Sequence, residues 1–455
     1  MLIQRADVYG ATTADVRVEA GRIVALGQLE PNPGESIIAA NGGALLPGLH
    51  DHHLHLLSLA AALESVVCGP PEVTNEAALI RALRSGNARR REWIRGIGYH
   101  ESVAGDIDRD WLDRVIPETP VRIQHRSGRL WIVNSAGLDL IAAPAAPRNG
   151  RLFDQDLLMR GHGAALPDVR SASERLARYG VTGFTDMTPR NDASTLTTFA
   201  QFQHSGELKQ RVCIAGTLAL CGLGTEDLCI GPTKVHLHES ALPTFEHLCE
   251  IVSQSHTRDR AVAIHCVTEV ELVFALAALR EAQPMVGDRI EHASVTPHAL
   301  LEQIHELGLT VVTQPNFVTE RGDAYLAEIP RSQHAALYRC RTFLDRGVPL
   351  AAGTDAPFGD ADPWAAMRAA VARRTSAGFT LGAHECLTPE QALALFLGAA
   401  ATPAKPRDIA VGATADLCLL DRPWAMARTQ LTDGAVRSVW RNGVSIFDRV
   451  DQTPR

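Results

Sequence analysis

Cysteine is the first telling shortage. Nine cysteines are scattered through 455 residues, none in a C-x-x-C pair, and their number is odd. A disulfide scaffold is therefore not expected, whereas a reduced, cytoplasmic setting is. Positive charge is also short: 44 lysines and arginines stand against 52 acidic residues, for a net charge of −8. Nucleic acids need a basic footprint, so they are not expected as partners. No uninterrupted apolar run approaches membrane-spanning length, and no membrane partner is expected. The opening stretch "MLIQRADVYGATTADVRVEAG" interleaves charge throughout, unlike a basic leader followed by an apolar segment. Internal repeats and low-complexity tracts are missing too. What remains, 45% hydrophobic and 21% charged residues, is ordinary for a soluble globular enzyme.

The two ends of the chain share one character. Residues 1–47 read as short alternating strands with turns, and "ADLCLLD" and "VRSVWRNGVSIF" repeat that pattern near the C-terminus. Chain ends often lie close together, so 1–47 and 405–455 are expected to form one small discontinuous β domain, a β-sandwich. The centre, 48–404, alternates apolar strand-like runs with helical stretches, the mark of βα units around a parallel sheet. Candidate strands are "GLHDHHLH", "GVTGFTDM", "RVCIAGTLAL", "TKVHLHE", "AVAIHCV", "RIEHASV", "TVVTQPNF" and "PLAAGTDAP". Eight such strands predict an α/β fold, a (β/α)8 TIM barrel. One interval, about 61–165, is too long for a single helix and is expected to be a cap-like insertion or a wall of the pocket.

Barrel chemistry sits at the C-terminal ends of the strands. Polar residues at those ends are His53 and His55, Lys234, His265, His292 and Asp355. Residues two apart on a strand point to the same side, so His53 and His55 can chelate one ion. Histidine nitrogen and aspartate oxygen suit Zn²⁺, Mn²⁺ or Co²⁺. Taken singly, each histidine also reads as a satisfied core group, and Asp355 as a carboxylate capped by backbone N–H groups. Together, so many unpaired polar groups at strand ends would be costly unless they share a metal. Lys234 reads either as a snorkelling lysine at the barrel rim or as a neutral amine that has captured carbon dioxide. The resulting carbamate would bridge two ions about 3.5–4 Å apart.

"LLPGLHDHHLHL" resembles the first-strand signature of the amidohydrolase superfamily: Pro-Gly, two mostly apolar residues, then Asp-x-His-x-His. "WIRGIGYHE", "VRIQHRSGRLWIVNSAGL", "IHCVTE", "DRIEHASV", "TQPNF", "GTDAPFGDADPW" and "LTPEQALALFLGAAA" followed by "VGATADLCLLD" match, in order, its family 3 branch. That branch includes N-substituted formamide deformylase and related metal-dependent hydrolases. Phenylurea and thiocarbamate hydrolases are similar in reaction type. The resemblance spans nearly the whole chain. It implies that His53, His55 and Asp355 bind one metal and that carboxylated Lys234 bridges to a second, held by His265 and His292. It further implies a bridging hydroxide as nucleophile, with Asp355 as general base and then acid. The two ions would be zinc, with manganese, cobalt or iron as alternatives, and dimerisation is common among such proteins. The Pro-Gly start puts His53 and His55 at the barrel mouth, with Asp51 behind them as the partner that orients an imidazole. His50 and His52 then face outward, toward the surrounding helices, as packing or hydrogen-bonding residues.

The chain also departs from the family pattern. Ser127-Gly128-Arg129 stands where Asp-Gly-His is frequent, which makes Arg129 either a substrate contact or a structural arginine. His236, Leu237, His238 and Glu239 follow Lys234 in place of the usual Asp-Gly pair. His238, Tyr99 and Gln314 join Arg129 as candidate substrate contacts, and the role of His236 stays open. The expected reaction is hydrolysis of an amide, carbamate or urea in a small apolar or aromatic substrate. It falls in the class that cleaves carbon–nitrogen bonds other than peptide bonds. One alternative is a mononuclear deaminase of a heterocyclic amine. Such deaminases show His-x-x-Glu after the fifth strand, whereas Thr268 holds that place here and Glu269 comes one later. The other alternative is a non-catalytic binding barrel, which the complete ligand set argues against.

Overall fold

The computed structural model describes residues 1–70, 72–85, 93–141, 147–153, 155, 166–220, 224–225 and 227–449. They fall into two compact units, Met1–His55 with Ser173–Arg455, and Leu56–Ala172.

The first unit is built on an eight-stranded parallel sheet whose strands follow one another in chain order. In sequence these barrel strands are Leu49–Leu54, Val181–Asp186, Arg211–Gly216, Leu228–His236, Val262–Cys266, Arg289–His292, Thr310–Thr313 and Leu350–Ala352. The first and second are buried at every position, as strands covered on both faces must be. The sheet closes where the chain leaving the eighth strand meets the first. There Asp355 N donates to His53 O at 2.7 Å and His55 N to Ala356 O at 2.9 Å. Gly353 allows this approach, since a Cβ at that position would stand 2.3 Å from the His53 backbone nitrogen. The result is a (β/α)8 TIM barrel.

Helices cover the outside for reasons visible in the sequence. Glu269–Ala282 buries Leu272, Ala275, Leu276 and Leu279, one stripe at helical spacing. Its start is fixed by a capping box between Thr268 and Glu271. Asp192 and Thr195 do the same for Ala193–His204. Several strands are shorter than the apolar runs suggest. "RVCIAGTLAL" pairs only to Gly216, and "PLAAGTDAP" only to Ala352. After Gly216 the chain turns, Thr217 N donating to Asn191 O and Leu220 N to Thr217 O, so pairing stops before the apolar run does. Within "ALYRCRTFLDRG" the helix spans Cys340–Asp345.

Both ends of the chain enter a second eight-stranded sheet. Ala44–Pro47 lies between Leu2–Val8 and Leu417–Leu420, in antiparallel register Leu417↔Pro47 and Leu419↔Leu45 with the latter. Ile3, Val16, Val18, Leu45, Leu417, Leu419 and Trp440 form its apolar core.

Leu56–Ala172 has a sheet of its own, with Ile94–Tyr99, Val121–His125 and Leu130–Val133 as neighbouring strands. Helices Glu76–Leu83 and Arg109–Val115 contribute Leu79, Leu83, Trp111 and Leu112 to a separate core with Ile94, Val121 and Ile123. Part of the expected insertion, residues 71, 86–92, 142–146, 154 and 156–165, lies outside the described residues. No helix among the described residues is long and apolar enough to cross a membrane.

Candidate active site

The C-terminal ends of the barrel strands bring the expected ligands into one place. His53 lies in the first strand and His55 just beyond it; Lys234 and His236 end the fourth. His265 is in the fifth, His292 closes the sixth, and Asp355 follows the eighth. Strand register sets His236 beside His265. Ligand atoms of His53, His55 and Asp355 all lie within 4.8 Å of one another. Asp355 Oδ1 is 3.2 Å from His55 Nε2 and 3.5 Å from His53 Nε2. His292 continues the cluster, its ring centroid 4.8 Å from that of His53 and 4.4 Å from that of His265.

Backbone shape contributes to this convergence. His292 and Asp355 have φ of 71° and 56°, in the left-handed region that side chains other than glycine seldom adopt. Such residues cost about 1–3 kcal/mol each and persist where the surroundings over-determine them. Here the strain turns an imidazole and a carboxylate toward a shared centre.

Each imidazole is held differently. His53 Nδ1 lies 2.5 Å from Glu291 Oε2. His292 Nδ1 lies 2.6 Å from Gln314 Oε1, and His55 Nδ1 lies 3.1 Å from Thr188 Oγ1. His265 has only ring neighbours among the described residues. Burial pushes all the deeper imidazoles toward neutrality, His292 to about 3 with His53 contributing. Neutral imidazole is the form that binds metal. Burial alone would raise the Asp355 carboxyl, but the hydrogen bond from His55, with His53 and His292 beside it, holds it well below the usual range.

Lys234 is 7% exposed, and its Nζ has no hydrogen-bond partner among the described residues. Burial, with Arg289 nearby, brings its amine down to about 8 even though Glu291 and Asp355 pull the other way. A buried amine without a partner is costly, and it is also the state that can react with carbon dioxide.

Asp51 does not orient an imidazole. Its carboxylate accepts from the backbone N–H of His53 and of Thr354, and from the Thr354 hydroxyl, and so pins the seam between the first and eighth strands. Gln314 is fully buried with its carbonyl oxygen 2.6 Å from His292 Nδ1, so it holds an imidazole in place. Tyr99 is buried in the core of its own unit, and its hydroxyl donates to Gly105 O at 2.6 Å. Arg129 is exposed, on the turn between Val121–His125 and Leu130–Val133. His238 follows the fourth strand with its ring 4.3 Å from that of His236, and neither makes a side-chain hydrogen bond among the described residues. His50 and His52 are buried with rings 4.6 Å apart. His50 reaches Thr185 Oγ1, whereas both ring nitrogens of His52 lack partners. The acid weighed for deamination, Glu269, opens a helix and accepts from Gln333.

Sequence reasoning missed Glu291, Arg289 and Thr188. A signal existed for the first two: in "RIEHASV" an arginine and a glutamate alternate inside a strand buried at every position. It also missed Phe358, 39% exposed, with its ring centroid 5.6 Å from that of His55.

The model of the amidohydrolase family, in its family 3 branch, matches residues 36–447. The chain belongs to this family. Members of the amidohydrolase family bind divalent metals, and the His53, His55 and Asp355 group has the donors to do so. N-substituted formamide deformylase of Arthrobacter pascens is 25% identical over 98% of this chain and 97% of its own length. The putative amidohydrolase YtcJ of Bacillus subtilis is 22% identical over 97% of each chain. In fold, an uncharacterized metal-dependent hydrolase from Pyrococcus furiosus superposes with a TM-score of 0.76 at 21% identity. That alignment covers 92% of this chain and 98% of the other.

Proposed function

We propose that this amidohydrolase uses two divalent ions to hydrolyse a carbon–nitrogen bond next to a carbonyl, in an amide, carbamate or urea. The observation that carries the reading is the convergence of His53, His55 and Asp355 beside Lys234, a buried amine with no partner. The donor set fits the ions: His53, His55 and Asp355 would hold one, and His265 and His292 the other. Lys234, as its carbamate, would stand between them. Carbamate formation joins Lys234 Nζ to carbon dioxide and releases a proton, which the lowered basicity of the amine favours. When bound, the ions polarise the carbonyl and lower the pKa of water toward neutrality.

The remaining chemistry belongs to the chain. Asp355 is charged at neutral pH, so it can accept a proton from the attacking water and pass it to the leaving nitrogen. Glu291, Gln314 and Thr188 fix three imidazoles so that they need not reorganise during turnover. Phe358 beside His55 offers an apolar face, which suits a small apolar or aromatic substrate. The similarity to N-substituted formamide deformylase, along nearly the whole of both chains, supports the bond type.

A hydrolysis screen of N-formyl, N-acyl, carbamate and phenylurea compounds, with Zn²⁺, Mn²⁺ and Co²⁺ supplied separately, tests the reading. Turnover of at least one apolar member is expected. Silence there, with ammonia released from heterocyclic amines, would replace hydrolysis by deamination.

A further inference from the structure

We infer that Glu291 is a positioning residue for the metal centre: its charge, anchored by Arg289, selects the tautomer of His53 and strengthens His53 as a ligand. This rests on the amidohydrolase reading above. The carboxylate is wholly buried and used on both sides. Oε2 takes His53 Nδ1 at 2.5 Å, while Oε1 lies 2.6 Å from Arg289 Nε, an ion pair whose angle is not that of a hydrogen bond. Arg289 is itself 2% exposed, so neither member is shared with solvent.

The consequence for His53 follows from its two nitrogens. A carboxylate can only accept, so the Nδ1 proton stays on the Glu291 side and Nε2 is left with a bare lone pair. That lone pair faces Asp355 Oδ1 at 3.5 Å. Two electron-rich atoms at this separation repel unless a cation lies between them. The other imidazoles are backed less strongly: His292 by a neutral amide, His55 by a hydroxyl, His265 by no hydrogen bond. A negative charge behind an imidazole raises its basicity toward metal. His53 is the imidazole that has one. Burying a glutamate and an arginine together is expensive and seldom stabilises a fold. A role at the metal centre accounts for this buried pair better than packing does.

The test uses Glu291→Gln, which keeps shape and an acceptor oxygen but loses the charge, and the double variant Arg289→Met/Glu291→Gln, which leaves no buried charge unpaired. Nitrogen NMR of the metal-free wild-type protein should show His53 protonated on Nδ1 alone, and both variants should show a mixture of tautomers. Competition with a chelator, using Zn²⁺ alone, should show the tighter site weakened about 10- to 100-fold in both. A folded double variant with wild-type zinc affinity and an unchanged His53 tautomer would overturn the inference and leave Glu291 as a counter-ion for Arg289. If the wild-type protein takes up no zinc, the hydrolase reading fails. The tautomer measurement then still decides what Glu291 does.

Discussion

The chain contains two H-x-H stretches at barrel strand ends, His53-Leu54-His55 and His236-Leu237-His238, and the structure treats them differently. In the first, Glu291 holds one ring, Thr188 the other, and Asp355 faces both. In the second, the rings lie 4.3 Å apart beside that of His265, with no side-chain hydrogen bond among the described residues. Spacing alone makes two histidines available to one ion; the groups behind them decide whether they are ready for it. The first pair also shares a carboxylate, Asp355, and the second has none beside it in the candidate metal group, so the first is the H-x-H pair expected to form a metal subsite.

Substitution tests this contrast most severely. His53→Asn should remove an ion and with it nearly all activity, whereas His236→Asn and His238→Asn should keep the wild-type metal content. Elemental analysis of the purified variants checks this, and loss of an ion from either of the latter two would put both H-x-H pairs on the same footing. Asp355→Asn comes next. Removing the proton carrier should lower kcat by about 10²–10⁴-fold, read from steady-state rates at saturating metal.

Much of this contrast was legible before the fold was known. Alternation along "GLHDHHLH" separates His53 and His55 from His50 and His52, and the strand ends mark Lys234, His265, His292 and Asp355. The partners behind them were less visible. Glu291 meets His53 because the first and sixth strands face each other across the barrel, a relation that no local pattern encodes. Asp51 reads as the natural partner of a nearby imidazole, yet closing the barrel needs a carboxylate for the N–H groups of His53 and Thr354, and that demand prevails. Tyr99 and Gln314 are polar at one end and were open to a substrate role, but each finds its partner inside the protein.

Smaller effects sharpen the comparison further. The His292 imidazole is held at about 3, below its ordinary value of 6.5, chiefly by burial. The metal-free fold therefore has this group's full contribution above about pH 6.5 and loses it as pH falls toward 3, about 2 kcal/mol by pH 5. Denaturant titrations of metal-free wild-type protein and His292→Asn at both pH values should show the slope flatten in the variant. Smallest is Phe358→Ala, which should lower the ratio of kcat/KM for an aromatic amide to that for a small aliphatic one by about 1 kcal/mol. An unchanged ratio would remove Phe358 from the substrate wall.

The claim that two ions are held around a carboxylated lysine is tested most directly by the metal content of wild-type and Lys234→Ala protein after incubation with Zn²⁺ and bicarbonate. About two ions per chain are predicted for the wild type, falling to about one in the variant, with partial recovery when a short carboxylate is added. The same metal content in both proteins would contradict the bridge.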